Sequence, residues 1–98
     1  MIAFTAKAQQ QIRALRRHYD SLGRTEATRN LMIAMQEAAD RIEADPAAGL
    51  PAPRPYPELA RPGRAWVKAG RYWVLYRTTR PPVVIAVFFE TANIPGRL

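Results

Sequence analysis

Five prolines between Pro51 and Pro62 divide this chain into two parts that cannot fold alike. Each proline holds φ at about −65° and carries no N–H, so Ala47–Gly63 can be neither a regular helix nor an interior strand. Regular structure must lie on either side of it. Upstream, apolar residues recur every three or four positions. Downstream, they alternate or run continuously over strand lengths. The proline segment, about 46–63, is expected to cross the surface in extended form, anchored by Leu50, Tyr56 and Leu59.

The upstream part reads as a short strand and two helices. Ile2–Thr5 leans apolar, and Thr5 is placed to cap a helix. Ala8, Ile12, Leu15, Tyr19 and Leu22 make the stripe of an amphipathic helix from Ala6 to about Leu22, ended by Gly23. Thr25 is expected to cap a second helix, with Glu26 in its first turn and Leu31, Ala34, Met35, Ala38 and Ile42 on its apolar side. Glu37 and Arg41 sit at i, i+4, and Asp45-Pro46 stops the helix. A connection as short as Gly23–Arg24 makes the pair an antiparallel hairpin.

The downstream part reads as three strands: Ala65–Lys68, Tyr72–Thr78 and Val83–Phe89, with turns at Ala69–Arg71 and Thr79–Pro82. Tyr72, Val74, Tyr76 and Thr78 share one face of the middle strand, and Trp73, Leu75 and Arg77 the other. Val83–Phe89 is apolar on both faces, which predicts a central strand. Thr91–Leu98 is expected to be a tail broken at Pro95-Gly96. The fold class is therefore α+β in the order β-α-α-β-β-β, one domain over 1–98. An antiparallel helical hairpin covers one face of a small, mainly antiparallel sheet. The other face is expected to stay open and to display aromatic and basic side chains.

The net charge of +7 is unevenly spread. Through Glu58 there are eight basic and seven acidic residues; from Leu59 onward there are seven basic and one acidic, Glu90. That asymmetry points to an anionic partner, nucleic acid or an acidic protein segment. Thirteen of the fifteen basic residues are arginine, the side chain suited to bidentate contact with phosphate or carboxylate. A genome favouring arginine codons accounts equally well for that choice, but not for the asymmetry. With no cysteine there is no disulfide or thiolate chemistry, and with His18 as the only histidine, metal and Ser-His-Asp sites are not expected. No cofactor is implied. The longest apolar run, Val83–Phe89, is far short of the roughly 20 residues of a membrane helix, and Met1–Thr5 leads straight into polar sequence, unlike a signal peptide. A cytoplasmic, membrane-free setting is the expectation.

Order, length and local sequence together resemble the RelE/ParE superfamily of bacterial type II toxins, over essentially the whole chain. Gly70, Arg71, Tyr72, Val74, Tyr76 and Arg77 stand as the family's G-R-Y-x-V-x-Y-R core, followed by the β-branched run Val83-Val84-Ile85-Ala86-Val87. Asp45–Gly49 looks like the family's helix exit. The resemblance implies a toxin neutralised by a cognate antitoxin in a hetero-oligomer. It implies one of two activities. RelE-like members cut mRNA on the ribosome without a metal, using cations on the concave sheet face to hold the scissile phosphate and a tyrosine or other polar group near the C-terminus. ParE-like members bind and poison DNA gyrase, with no demonstrated catalytic set.

This chain departs from the ribonuclease pattern. It reads Phe88-Phe89-Glu90-Thr91-Ala92-Asn93 where further cations and a tyrosine belong, and a carboxylate at Glu90 repels RNA phosphate. The expectation is therefore ParE-like inhibition of gyrase and of growth. The alternatives are an mRNA endonuclease acting through Arg64, Lys68, Arg71 and Arg77, and a nontoxic relative that only binds. The expected partner surface comprises Arg64, Trp66, Lys68, Arg71, Arg77, Phe88 and Phe89. Of the two adjacent phenylalanines, one faces the core and the other sits near an edge where antitoxin docks in this family. Trp66 is expected to be partly exposed, Trp73 and Tyr76 to be core, and His18 to lie on the surface.

Overall fold

The computed structural model describes residues 2–98. The elements run in the order β1 (Ala3–Phe4), α1 (Ala6–Ser21), α2 (Thr25–Ala44), β2 (Arg64–Ala69), β3 (Tyr72–Arg77), β4 (Val83–Phe89) and α3 (Ile94–Arg97). Single 3-10 turns occupy Pro46–Ala48 and Pro57–Leu59. The expected β-α-α-β-β-β order holds, with helices packed on a four-stranded sheet of order β1-β4-β3-β2. β1 runs parallel to β4, and the other pairs are antiparallel.

Local chemistry sets the helix limits. The Thr5 hydroxyl accepts the Ala8 N–H at 3.2 Å and starts α1. Gly23 takes φ +67, a left-handed conformation that a side chain disfavours, and the Arg24 N–H returns to the Tyr19 carbonyl at 2.9 Å. The start of α2 differs from expectation. Thr25 is its first helical residue, not its cap; Arg24 holds the cap position, and no side chain bonds the first amides. Downstream, the Asp45 carboxylate accepts the Ala47 N–H at 3.2 Å and turns the chain out of α2.

β4 lies between β1 and β3, as its two apolar faces predict. Its register against β3 slips, with Leu75 opposite Ala86 but Tyr76 opposite Val84, so Ile85 is an extra residue. The bulge lets Ile85 and Ala86 both join the cluster on the face away from the helices. On the helical side, Leu31, Ile42, Val74, Tyr76 and Val84 anchor the main core. The Tyr76 hydroxyl donates to the Pro46 carbonyl at 2.7 Å, tying the sheet to the exit of α2.

The expectation of an open second face is overturned. Trp66, Trp73, Leu75, Ile85, Phe88 and Ile94 form a second buried cluster there, covered by Leu50, Tyr56 and Leu59 of the proline segment. Leu50 explains how the cover attaches. Its N–H and C=O each bond Trp66 at 2.7 Å, a single antiparallel bridge on the edge of β2. Pro51 and Pro53 have no N–H to continue that ladder, so the chain leaves the edge and crosses the face. Its remaining amides find local partners, Tyr56 N–H on the Pro53 carbonyl at 2.9 Å and Leu59 N–H on the Tyr56 carbonyl at 3.0 Å. The expected tail is corrected as well. Ile94 is fully buried in the second cluster, and Pro95 sits in the first turn of α3, where its missing N–H costs nothing.

Candidate functional site

The four cations of the ribonuclease alternative do not converge. Arg64 and Arg77 are cross-strand partners at one end of the β2–β3 ladder, and both are exposed. Lys68 lies four residues along β2, about 13 Å away at the usual strand rise. Its ammonium donates to Glu90 Oε2 at 2.8 Å and stands 5.8 Å from the centre of the Trp73 ring. The bond from Lys68 holds the Glu90 carboxyl below its ordinary pKa. Arg71 is off the strands, in the tight turn where Gly70 takes φ +55, and its carbonyl accepts the Glu90 N–H at 2.8 Å. A phosphate clamp needs cations within hydrogen-bond reach of one point. Here one pair sits at one end of the ladder, one cation is paired with a carboxylate, and one projects from a turn.

The apolar members of the expected partner surface divide in the same way. Trp66, at 1% exposed, and Phe88, at 2%, are buried in the second core, so neither is available for docking as the chain stands. Their rings lie 6.1 Å apart beneath the proline segment. Trp73 is core, as expected, with the Arg54 guanidinium 5.7 Å from its ring centre. Phe89 is the half-buried member of its pair. It turns to the helical side and meets the Tyr72 ring edge-on at 5.6 Å.

Phe89 and Arg71 line a different feature, a cleft of about 840 Å³ between the α1–α2 turn, the β2–β3 turn and the end of β4. Arg24 and the first residues of α2 form its opposite wall. At its inner side the Tyr19 and Tyr72 hydroxyls meet at 2.6 Å, with both residues buried. Burial pushes the Tyr72 phenol far up from its usual pKa, and the hydrogen bond with Tyr19 adds to the shift, so Tyr72 stays protonated. Sequence periodicity places Tyr19 in the α1 stripe and Tyr72 on a strand face without joining them. The available signal was chemical, because a tyrosine on a buried stripe must find a partner for its hydroxyl. Arg24 had no periodic signal, since it matters only through the turn that aims it.

His18 is exposed on α1, with its ring 5.9 Å from that of Tyr19, and does not line the cleft. Among the described residues no group of three His, Cys, Asp or Glu side chains is placed to hold a metal, and no helix is long and apolar enough to cross a membrane. No protein-family model matches this chain, and no curated protein is measurably similar to it.

Proposed function

We propose that this chain is the toxin component of a bacterial type II toxin–antitoxin pair, cytoplasmic and neutralised by a cognate antitoxin, and that it arrests growth by binding DNA gyrase. The family reading rests on the β-α-α-β-β-β order and on the Gly70-Arg71-Tyr72-x-Val74-x-Tyr76-Arg77 core. The choice of target rests on one observation, the Lys68–Glu90 pair at 2.8 Å. A ribonuclease of this superfamily would use the end of β4 to gather positive charge and a proton-transfer group. Here a carboxylate occupies that position and takes up the nearest lysine, while the Arg64–Arg77 pair lies at the far end of the β2–β3 ladder and Arg71 projects from a turn. Such a surface favours docking to a protein over in-line cleavage of RNA, which requires convergent charge.

The test is controlled expression without the antitoxin. The gyrase reading predicts arrest with filamentous cells and DNA-damage signalling while translation continues at first. Translation stopping first, with mRNA cut at ribosomal A-site codons, would replace it with the endonuclease reading. Unimpaired growth at a confirmed protein level would leave only a binding role. An adjacent small gene encoding an N-terminal DNA-binding motif is the expected genomic neighbour.

A further inference from the structure

We propose that the cleft between the α1–α2 turn and the β2–β3 turn binds a phosphate-bearing small molecule, with its phosphate held by Arg24, Arg71 and the Tyr19–Tyr72 phenol pair. The proposal does not depend on the toxin reading. Its starting point is a count of protons. Two phenols carry two O–H groups, but the contact at 2.6 Å uses only one as a donor. The other has no acceptor among the described residues, and the two tyrosines are only 6% and 4% exposed. Both tyrosines line the cleft, so the spare O–H is a donor that an acceptor entering the cleft can take up.

The charges around it specify what kind of acceptor. Arg24 and Arg71 both line the cleft, Arg24 on the α1–α2 side and Arg71 on the β2–β3 side. Neither has a carboxylate partner among the described residues; Arg24 only lies over the Tyr19 ring, 5.8 Å from its centre. Thr25, Glu26 and Ala27 line the same wall, and no side chain caps their amides. The start of a 20-residue helix therefore adds its positive end to the two guanidiniums. Two planar cations, free amides and a phenol donor together match a phosphate monoester. The size fits a ligand larger than the bare ion, since about 840 Å³ lies within the range of small-molecule sites. Ile33, Ala34 and Phe89 offer an apolar wall for its body.

Two carboxylates also line the cleft. Glu37 is partly balanced by Arg41 at 3.6 Å. Glu26 has no such partner in view and opposes an anion, which makes it a diagnostic position. Amide NMR titration of the purified chain with inorganic phosphate, adenosine 5′-monophosphate and acetate tests the assignment. Shifts are expected in Tyr19–Ala27 and Gly70–Tyr72, with adenosine 5′-monophosphate tighter than phosphate and phosphate tighter than acetate. Arg24→Ala and Arg71→Ala, both at exposed positions, should each weaken binding about 10-fold or more. Tyr19→Phe with Tyr72→Phe should weaken it by about 3-fold or more, while Glu26→Gln should tighten it by about 3-fold. An undiminished affinity in the Arg24→Ala, Arg71→Ala double variant would overturn the site. So would acetate matching phosphate, shifts spread over the exposed arginines of α1, or no response at about 20 mM, where even millimolar sites fill.

Discussion

Gly49 has the least room of the chain's glycines. A Cβ there would overlap the Tyr76 hydroxyl and the Ala65 side chain, because this backbone passes directly over the bond that ties Tyr76 to Pro46. Gly49→Ala should therefore cost about 1–3 kcal/mol, the range for an overpacked core, read as a lower urea midpoint with an unchanged slope. The tyrosine pair supports a second prediction. Tyr72→Phe leaves the Tyr19 hydroxyl without its buried partner and should cost about 1–2 kcal/mol near neutral pH. The variant should also change the alkaline limb. Burial raises the folded pKa of Tyr72 above its ordinary value of 10.0, so the unfolded chain releases this proton first. The associated stability is whole below about pH 10 and is lost progressively above it. Tyr76 is raised in the same direction, chiefly by burial, so the variant should lose less stability above pH 10 than the parent but still lose some. Equal slopes for parent and variant in denaturation from pH 9 to 11 would contradict this. Neither position announces itself in sequence. Gly49 reads as one more loop residue, and the two tyrosines, 53 apart, meet only once the hairpin has packed on the sheet.

At the scale of elements, periodicity carried far. Both helices, all three downstream strands and the central place of β4 follow from the spacing of apolar residues, because one buried face forces one period. The cover of the second face was not legible in the same way. Leu50, Tyr56 and Leu59 are spaced by no regular period, and prolines forbid the elements that would have one. Ile94 was hidden beside Pro95-Gly96, which reads as a break although proline is at home in a first helical turn. The open face was expected because the cover consists of single anchors, each joining the sheet at one point. The excess of aromatic residues on that face was nevertheless visible: Trp66, Trp73 and Phe88 are too much apolar surface for a small monomer to leave in water. The anchors make a sharp prediction. Ile94→Ala should cost about 2–5 kcal/mol by leaving a cavity in the second core, and should red-shift tryptophan emission as Trp66 and Trp73 gain contact with solvent. A loss below about 1 kcal/mol with unshifted emission would mean that α3 merely rests on the sheet. Thr5→Ala at the start of α1 should cost about 1 kcal/mol and leave the emission unchanged, since its cap lies on the other side of the sheet.

For the molecule as a whole, covering both faces of the sheet changes what its charge can do. Of the seven basic residues from Leu59 onward, Lys68 is paired with Glu90 and Arg61 donates to the carbonyls of Glu58 and Ala60. Arg64 and Arg77 are exposed and directly opposite in the β2–β3 register, a like-charged cross-strand pair with no carboxylate on it among the described residues. Arrangements of this kind act at a distance. They raise the rate at which an acidic partner arrives and add little to how firmly it stays. If the antitoxin is the acidic partner, Arg64→Glu with Arg77→Glu should slow its association by about 10-fold or more at low salt. Dissociation should change by less than about 3-fold, and the difference in association should shrink towards unity as ionic strength rises. Both positions are exposed, so the variant should keep the parent's stability, or gain a little from relief of the Arg–Arg repulsion. The same association rates measured for Arg71→Glu provide the contrast. Arg71 lies at the other end of the sheet, beside the cleft and the Glu90 amide, so its reversal should act chiefly on whatever occupies the cleft. If instead the Arg64/Arg77 variant dissociates much faster while associating at the parent's rate, these side chains are buried in the contact and the docking surface is centred on the open end of the β2–β3 ladder.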